Sequence, residues 1–208
     1  MRFVNFLLEA AKPKANKPTN PVVFAFGRMN PPTVGHGALV DKVKELADQH
    51  EAHHEIVLSH SVDPKKNPLT PAQKLTHARR MFPNTNISAA SPEQPTLLHH
   101  LARLHKAGHD HAIIVAGDDR VPEFTKLINH YNTTPDKSGK QLFNFKKVDV
   151  VSAGARDPDA EGVEGMSASK MRAHASANDY ASFRQGLPKK MAEEHAQSMF
   201  RDVQKGMQ

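Results

Sequence analysis

Three stretches of this chain carry side chains that can hold phosphate. In Gly27-Arg28-Met29-Asn30-Pro31-Pro32-Thr33-Val34-Gly35-His36, an arginine enters a proline-rich turn, and a histidine stands where helical spacing begins at Leu39, Val40, Val43, Leu46 and Ala47. A helix N-terminus presents unpaired N–H groups and the positive end of its dipole, so it suits an anion. Gly35 lets a ligand come close to the backbone, and His36 can donate to a phosphoryl oxygen. In Met166-Ser167-Ala168-Ser169-Lys170-Met171-Arg172, two hydroxyls lie in the first turn of another helix with two cations just behind them. That is a second anion site. Lys65-Lys66-Asn67 sits in a polar loop, where the lysines can meet the phosphate of a second substrate. Taken singly, each is also what an ordinary βα turn, a capped basic helix or a pair of exposed lysines looks like.

The elements that must position these residues alternate in type. Apolar runs over 22–26, 55–59, 86–89, 112–116 and 147–152 read as strands, and 112–116 is continuous, as buried parallel strands are. Helical spacing covers 35–49, 71–82 (Thr70 as cap, Pro71 in first position), 96–107 (Leu97, Leu98, Leu101, Leu104, stopped by Gly108) and 123–131. Residues 133–139 read as a polar turn. The chain after Ser167 is mostly helical, broken at Gly186-Leu187-Pro188. Such alternation predicts an α/β fold with a parallel sheet and right-handed crossovers. Ligands then sit at the carboxyl ends of strands near a topological switch point. Gly27-Arg28, residues 63–67 and Gly117-Asp118 all follow predicted strand ends.

Residues 1–11 read as a short amphipathic helix with Phe3, Phe6, Leu7 and Ala10 on one side, and 12–21 as a Pro/Lys/Asn linker. Residues 153–165, with three glycines and four acidic residues, read as a mobile loop. The expected division is 1–20 helix and linker, 21–187 main domain, and 188–208 C-terminal helix.

Gly27-Arg28-Met29-Asn30-Pro31-Pro32-Thr33-Val34-Gly35-His36 resembles the H/T-x-G-H signature of the cytidylyltransferase-like nucleotidyltransferase superfamily. Within it, the stretch is similar to the G-R-F-x-P-x-H-x-G-H opening of archaeal-type nicotinamide-nucleotide adenylyltransferases, with Thr33 in the place of the first His. Met166 to Arg172 resembles the second signature, I-S-S/G-T-x-x-R, with Met166 for Ile and Ala168 for Ser or Gly. Gly117-Asp118-Asp119 resembles the G-S/D-D element. Asn67-Pro68-Leu69-Thr70 resembles N-P-F-T, with Leu69 for Phe and Gln73-Lys74 for the usual Glu-Arg.

The resemblance covers 22 to about 187. It implies a Rossmann-like parallel sheet of the HUP type, with a helical C-terminal region. It implies transfer of a nucleotidyl group from an NTP, ATP favoured, to a phosphorylated small molecule such as nicotinamide mononucleotide, with release of pyrophosphate. A cytidylyltransferase making a CDP-activated alcohol is the alternative. In this reading His36 contacts the transferring phosphate, and Thr33 stands where the first His usually serves it. Arg28, Ser167, Ser169, Lys170 and Arg172 hold phosphates. Gly27, Met29, Gly35, Gly117 and Asp118 complete the nucleotide site, and Asp119 caps the following helix. Lys65, Lys66 and Asn67 meet the acceptor. Mg²⁺ is expected mainly on the NTP phosphates, with no metal site built from protein side chains.

Composition bounds the rest. The chain has 208 residues and a net charge of +6, which suits anionic ligands. No run has the density of a nucleic-acid arm, and no nucleic-acid motif stands behind the charge. Cys is absent, which excludes disulfides and thiolate metal sites. The pairs His53-His54 and His99-His100 lack zinc-type spacing and are expected on the surface. No membrane span or secretory signal is read, so the cytoplasm is the expected location. Leu7-Leu8-Glu9-Ala10 is similar to the cleavage site of prohead proteases of T-even-like tailed phages. That resemblance implies a phage protein in host cytoplasm or virion, with a virion partner at the N-terminal helix, and a third reading as an internal head protein that keeps the fold. A homo-oligomer remains open.

Overall fold

The computed structural model describes residues 20–135, 137–154 and 166–208. Five strands, β1 (Pro21–Gly27), β2 (His53–Leu58), β3 (Ile87–Ala89), β4 (His111–Ala116) and β5 (Lys147–Ser152), form one sheet in the order β3-β2-β1-β4-β5. Every pairing is parallel. The order reverses between β1 and β4, so the switch point lies at their carboxyl ends.

Alternation along the central strands explains why helices cover both faces. Val22 and Phe24 of β1 and Ala112, Ile114 and Ala116 of β4 point to one side. There they meet α3 (Leu97–Lys106) through Leu97, Leu101 and Leu104, and α4 (Val121–Thr133) through Phe124 and Ile128. Val23, Ala25, Ile113 and Val115 point to the other side, against Val40, Val43, Leu46 and Ala47 of α1 (Gly37–Gln49) and Ala78 of α2 (Pro71–Met81). Each buried aliphatic or aromatic side chain contributes about 1.5–3 kcal/mol.

A third core joins α5 (Ala168–Ser176), α6 (Tyr180–Gln185) and α7 (Glu193–Gly206) to α2 and to Leu69. Phe200 of α7 meets Phe183 of α6 edge-on, with ring centroids 5.1 Å apart. The helical C-terminal region is therefore fastened to the sheet domain through the same loop that carries Asn67 and Leu69.

Several boundaries differ from the sequence expectation. A 3-10 turn, Val34–His36, precedes α1, so the long helix starts at Gly37 rather than at 35. β2 starts at His53, two residues early, because parallel pairing with Val22 begins there. The C-terminal region breaks once more than expected, between α5 and α6. Asn178 at φ 55° turns the chain, and Asp179 Oδ1 accepts from Ser182 N at 3.0 Å to start α6. His100 is a correction: it is buried, with its ring against Phe24 and Phe26 and Nε2 bonded to Gln94 O at 2.9 Å. His99 and His53 are exposed as expected. The reading of 1–11 as a helix, its linker up to 19, the Leu7-Leu8-Glu9-Ala10 string and most of the loop 153–165 lie outside the described residues. Among the described residues, no helix is long and apolar enough to cross a membrane.

Candidate active site

A cavity of about 540 Å³ opens at the carboxyl ends of β1 and β4, where the strand order reverses. Of the residues expected to serve, it brings together Gly27, Arg28, Met29, His36, Lys66, Gly117, Ser167, Ser169 and Arg172. A Cβ added to Gly27 would meet nothing within 4 Å, so the strand end presents bare backbone to the open space. Met29, one of the following turn residues, holds φ 41° while buried. A non-glycine residue there costs on the order of 1 kcal/mol and persists only where its surroundings fix it.

Asn30 supplies that fixing. Its side chain is buried, donates from Nδ2 to Leu69 O at 3.1 Å and accepts from Leu69 N at Oδ1, 3.0 Å. Its own carbonyl accepts from Arg172 Nη1 at 2.8 Å. Arg172 Nη2 also donates to Ser169 Oγ at 3.1 Å. The helix behind this arginine begins at Ser167, whose hydroxyl accepts from Lys170 N at 3.2 Å. Two positions, β1's turn and α5's first turn, are thus joined across the cavity.

The electrostatics are those of an anion site. Arg172 is half-buried, and its pKa is pushed below the ordinary arginine value, first by burial and then by the charge of Arg28, with Asp63 opposing. Two guanidinium groups that repel each other beside one cavity are stabilised by an anion placed between them.

His36 is buried at the cavity wall, and its tautomer follows from its neighbours. Thr33 N–H donates to Nδ1 at 3.0 Å, and the Thr33 hydroxyl lies 3.0 Å from the same nitrogen. Nδ1 therefore accepts, and a neutral ring carries its proton on Nε2. Thr33 itself is buried and lies outside the cavity lining, and its contact is with the histidine.

Other expected residues stand back. Gly35, Lys65, Asn67, Asp118 and Lys170 are not among the cavity-lining residues. Asn67 belongs to a tight turn built on Asp63. It donates from Nδ2 to Asp63 Oδ2 at 2.7 Å, while Lys65 N and Lys66 N donate to Oδ1 at 3.1 and 2.7 Å. These bonds, led by that of Lys66 N, hold the Asp63 carboxyl below its usual pKa. Neither aspartate after β4 stands where it was expected. Asp118 Oδ1 accepts from Ser152 Oγ of β5, whereas Asp119 faces the cavity. Asp119 caps neither the 3-10 turn Asp118–Arg120 nor α4. A Cβ on Gly117 would come within 2.9 Å of Asp119 Oδ1, so the glycine makes room for that carboxylate.

Sequence reasoning passed over Asn30, Ser59, Ser61 and the apolar part of the lining at Phe26, Leu97 and Phe124. Among the described residues, no group of three or more His, Asp or Glu side chains could hold a metal ion. A family model described as cytidylyltransferase-like matches residues 24–174. No curated protein matches the chain.

Proposed function

Because this chain belongs to the cytidylyltransferase-like family of nucleotidyltransferases, we propose that it transfers an adenylyl group from ATP to a phosphorylated small molecule such as nicotinamide mononucleotide. The observation that carries the proposal is the convergence of Arg28, His36, Ser169 and Arg172 on one cavity at the switch point. The Asn67-Pro68-Leu69-Thr70 segment, similar to that of nicotinamide-nucleotide adenylyltransferases, supports this acceptor over an alcohol phosphate.

The reaction needs no covalent intermediate. A phosphate oxygen of the acceptor attacks the α-phosphorus in line. The bond from that phosphorus to the bridging oxygen breaks, and pyrophosphate leaves with the electron pair. An ionised acceptor phosphate gives up no proton. Catalysis is then positioning and charge stabilisation. His36 donates from Nε2 to the transferring phosphate, oriented by Thr33 at Nδ1. Arg28 and Arg172 hold the leaving phosphates, and Ser167, Ser169 and Lys170 supply donors at the start of α5. Lys66, which lines the same cavity, meets the acceptor phosphate. Mg²⁺ fits this donor set as a companion of the triphosphate, with Asp119 the one carboxylate among the described residues that line the cavity. It would neutralise charge on the phosphate oxygens. Residues 21–187 carry the reaction in this reading, and α7 braces them.

The test is pyrophosphate release with each of the four NTPs and Mg²⁺ against a panel of phosphorylated acceptors. Release with ATP and nicotinamide mononucleotide is the expected result. Release with CTP and an alcohol phosphate would replace the acceptor and the base together.

A further inference from the structure

Lys74 is fully buried, in the first turns of α2, on the inward face with Ala78 and Met81. Packing at that spacing calls for an apolar residue. Burying an ammonium group costs several kcal/mol unless its donors are used, and an apolar side chain of similar volume is often as stable. Burial alone lowers the pKa of Lys74 from 10.5 to about 8, with no carboxylate contributing. Side-chain packing alone therefore does not account for a lysine here.

Its bonds point elsewhere. The ammonium donates to Ser59 O and, at 3.2 Å, to Ser61 O. These carbonyls belong to the chain as it leaves β2. Leu58 O still bonds to Ala90 N at 2.8 Å and Ser59 N still bonds to Gly27 O at 2.8 Å, after which the ladder ends. Lys74 takes over where the sheet stops. Ser59 and Ser61 line the cavity, their hydroxyls 3.0 Å apart, and the turn that follows carries Lys66 to the same wall.

We propose that Lys74 is the positioning residue of the acceptor side of the cavity: its two bonds to the carbonyls of Ser59 and Ser61 fix the wall that presents Lys66. The acceptor role of this wall rests on the function proposed above. The nucleotide side, at Ser167, Ser169 and Arg172, is held through Asn30, whose bonds run to Leu69 and Arg172 rather than to the carbonyls that Lys74 holds.

The test compares the unaltered protein with Lys74→Met, which keeps the stem and loses the donors, and with Lys74→Arg, which keeps donors and charge. Amide hydrogen exchange over 59–67 is read without any acceptor. It should be at least about tenfold faster in Lys74→Met, near normal in Lys74→Arg, and unchanged in β1 and β4 in both, the loss expected when bonds to a charged donor disappear. ATP affinity should stay within about twofold, while KM for the acceptor rises about tenfold with kcat little changed. Unchanged exchange over 59–67, or loss of ATP affinity, would overturn the proposal. Should Lys74→Met fail to fold, Lys74→Gln takes its place, and unfolding of both would overturn it too, since Lys74 would then be holding the fold. Absence of turnover with nicotinamide mononucleotide in the unaltered protein would sink the acceptor reading alone, because the exchange measurement still reads Lys74.

Discussion

Arg172 Nη1 donates to the carbonyl oxygen of Asn30 at 2.8 Å, across 142 positions of sequence. Through this bond the start of α5 and the turn after β1 share one geometry. Asn30 passes it on to Leu69, whose N–H and carbonyl it bonds with its side chain. One planar guanidinium serves both Asn30 and Ser169, which the point charge of a lysine cannot do. Arg172→Lys should therefore lower kcat/KM by about 10- to 100-fold, roughly 1.4–2.8 kcal/mol, at nearly unchanged melting temperature. A full-activity Arg172→Lys enzyme would remove the bridge from the mechanism.

The Thr33–His36 pair makes a graded prediction. His36→Ala removes a donor aimed at developing charge, and turnover should fall by about 10²–10³-fold with the fold intact. Thr33→Val keeps the backbone N–H that fixes the Nδ1 acceptor but loses the hydroxyl beside it. Its turnover should fall less, by about three- to tenfold. Steady-state pyrophosphate release on both variants ranks them. Equal losses would mean that Thr33 acts on the ligand directly.

What the sequence displayed, and what it hid, divides along physical lines. The strands were legible because parallel strands buried on both faces are unbroken apolar runs, as at 112–116. The cavity residues His36, Ser169 and Arg172 were legible because their types and spacing belong to helix starts, and Arg28 because it follows the end of a predicted strand. Asn30 could not be read, since its partners lie 39 and 142 positions away. Lys74 and His100 carried a readable signal: 74, 78 and 81 share one helical face, as do Leu97, His100, Leu101 and Leu104. Their polarity hid it. That Asp119 rather than Asp118 lines the cavity follows from the 3-10 turn after β4, where each residue turns the side chain by about a third of a revolution.

Gly206 should be intolerant of a side chain. A Cβ there would stand 2.0 Å from the Pro68 carbonyl oxygen and 2.7 Å from its carbon, so the last turn of α7 lies directly on the loop behind Asn67. Gly206→Ala must push helix and loop apart at a cost of about 1–3 kcal/mol. That corresponds to a melting temperature lower by roughly 2–12 °C. Gly37→Ala is the internal control. Its Cβ would meet nothing within 4 Å and its φ of −57° is helical, so this change should leave stability equal or raise it by up to about 1 kcal/mol. Thermal melts of the two variants should move in opposite directions or differ by several degrees. Matching melts would mean that α7 does not brace the loop.

His100 sets an acid limit on stability. Its ring lies between Phe24, Phe26 and the α3 backbone, and its pKa is lowered from the ordinary 6.5, first by burial and then by Arg103, while Gln94 O and Glu55 oppose. The unfolded chain therefore binds a proton more readily than the folded one near and below pH 6.5. The sign follows: this contribution is fully present above pH 6.5 and is lost as pH falls through the lowered folded value. His77, buried against Asp202 with Nε2 to Oδ2 at 2.8 Å, is shifted in the same direction, again by burial first. Melting temperature should thus decline from pH 7 to pH 5. His100→Phe fits an aromatic ring into the same site and gives up the bond to Gln94 O, a loss of about 1 kcal/mol at pH 7.5. Between pH 7 and pH 5 its melting temperature should fall less steeply than that of the unaltered protein, with the remaining slope due to groups such as His77. Parallel curves for the two proteins would show that His100 takes up its proton equally in the folded and unfolded states.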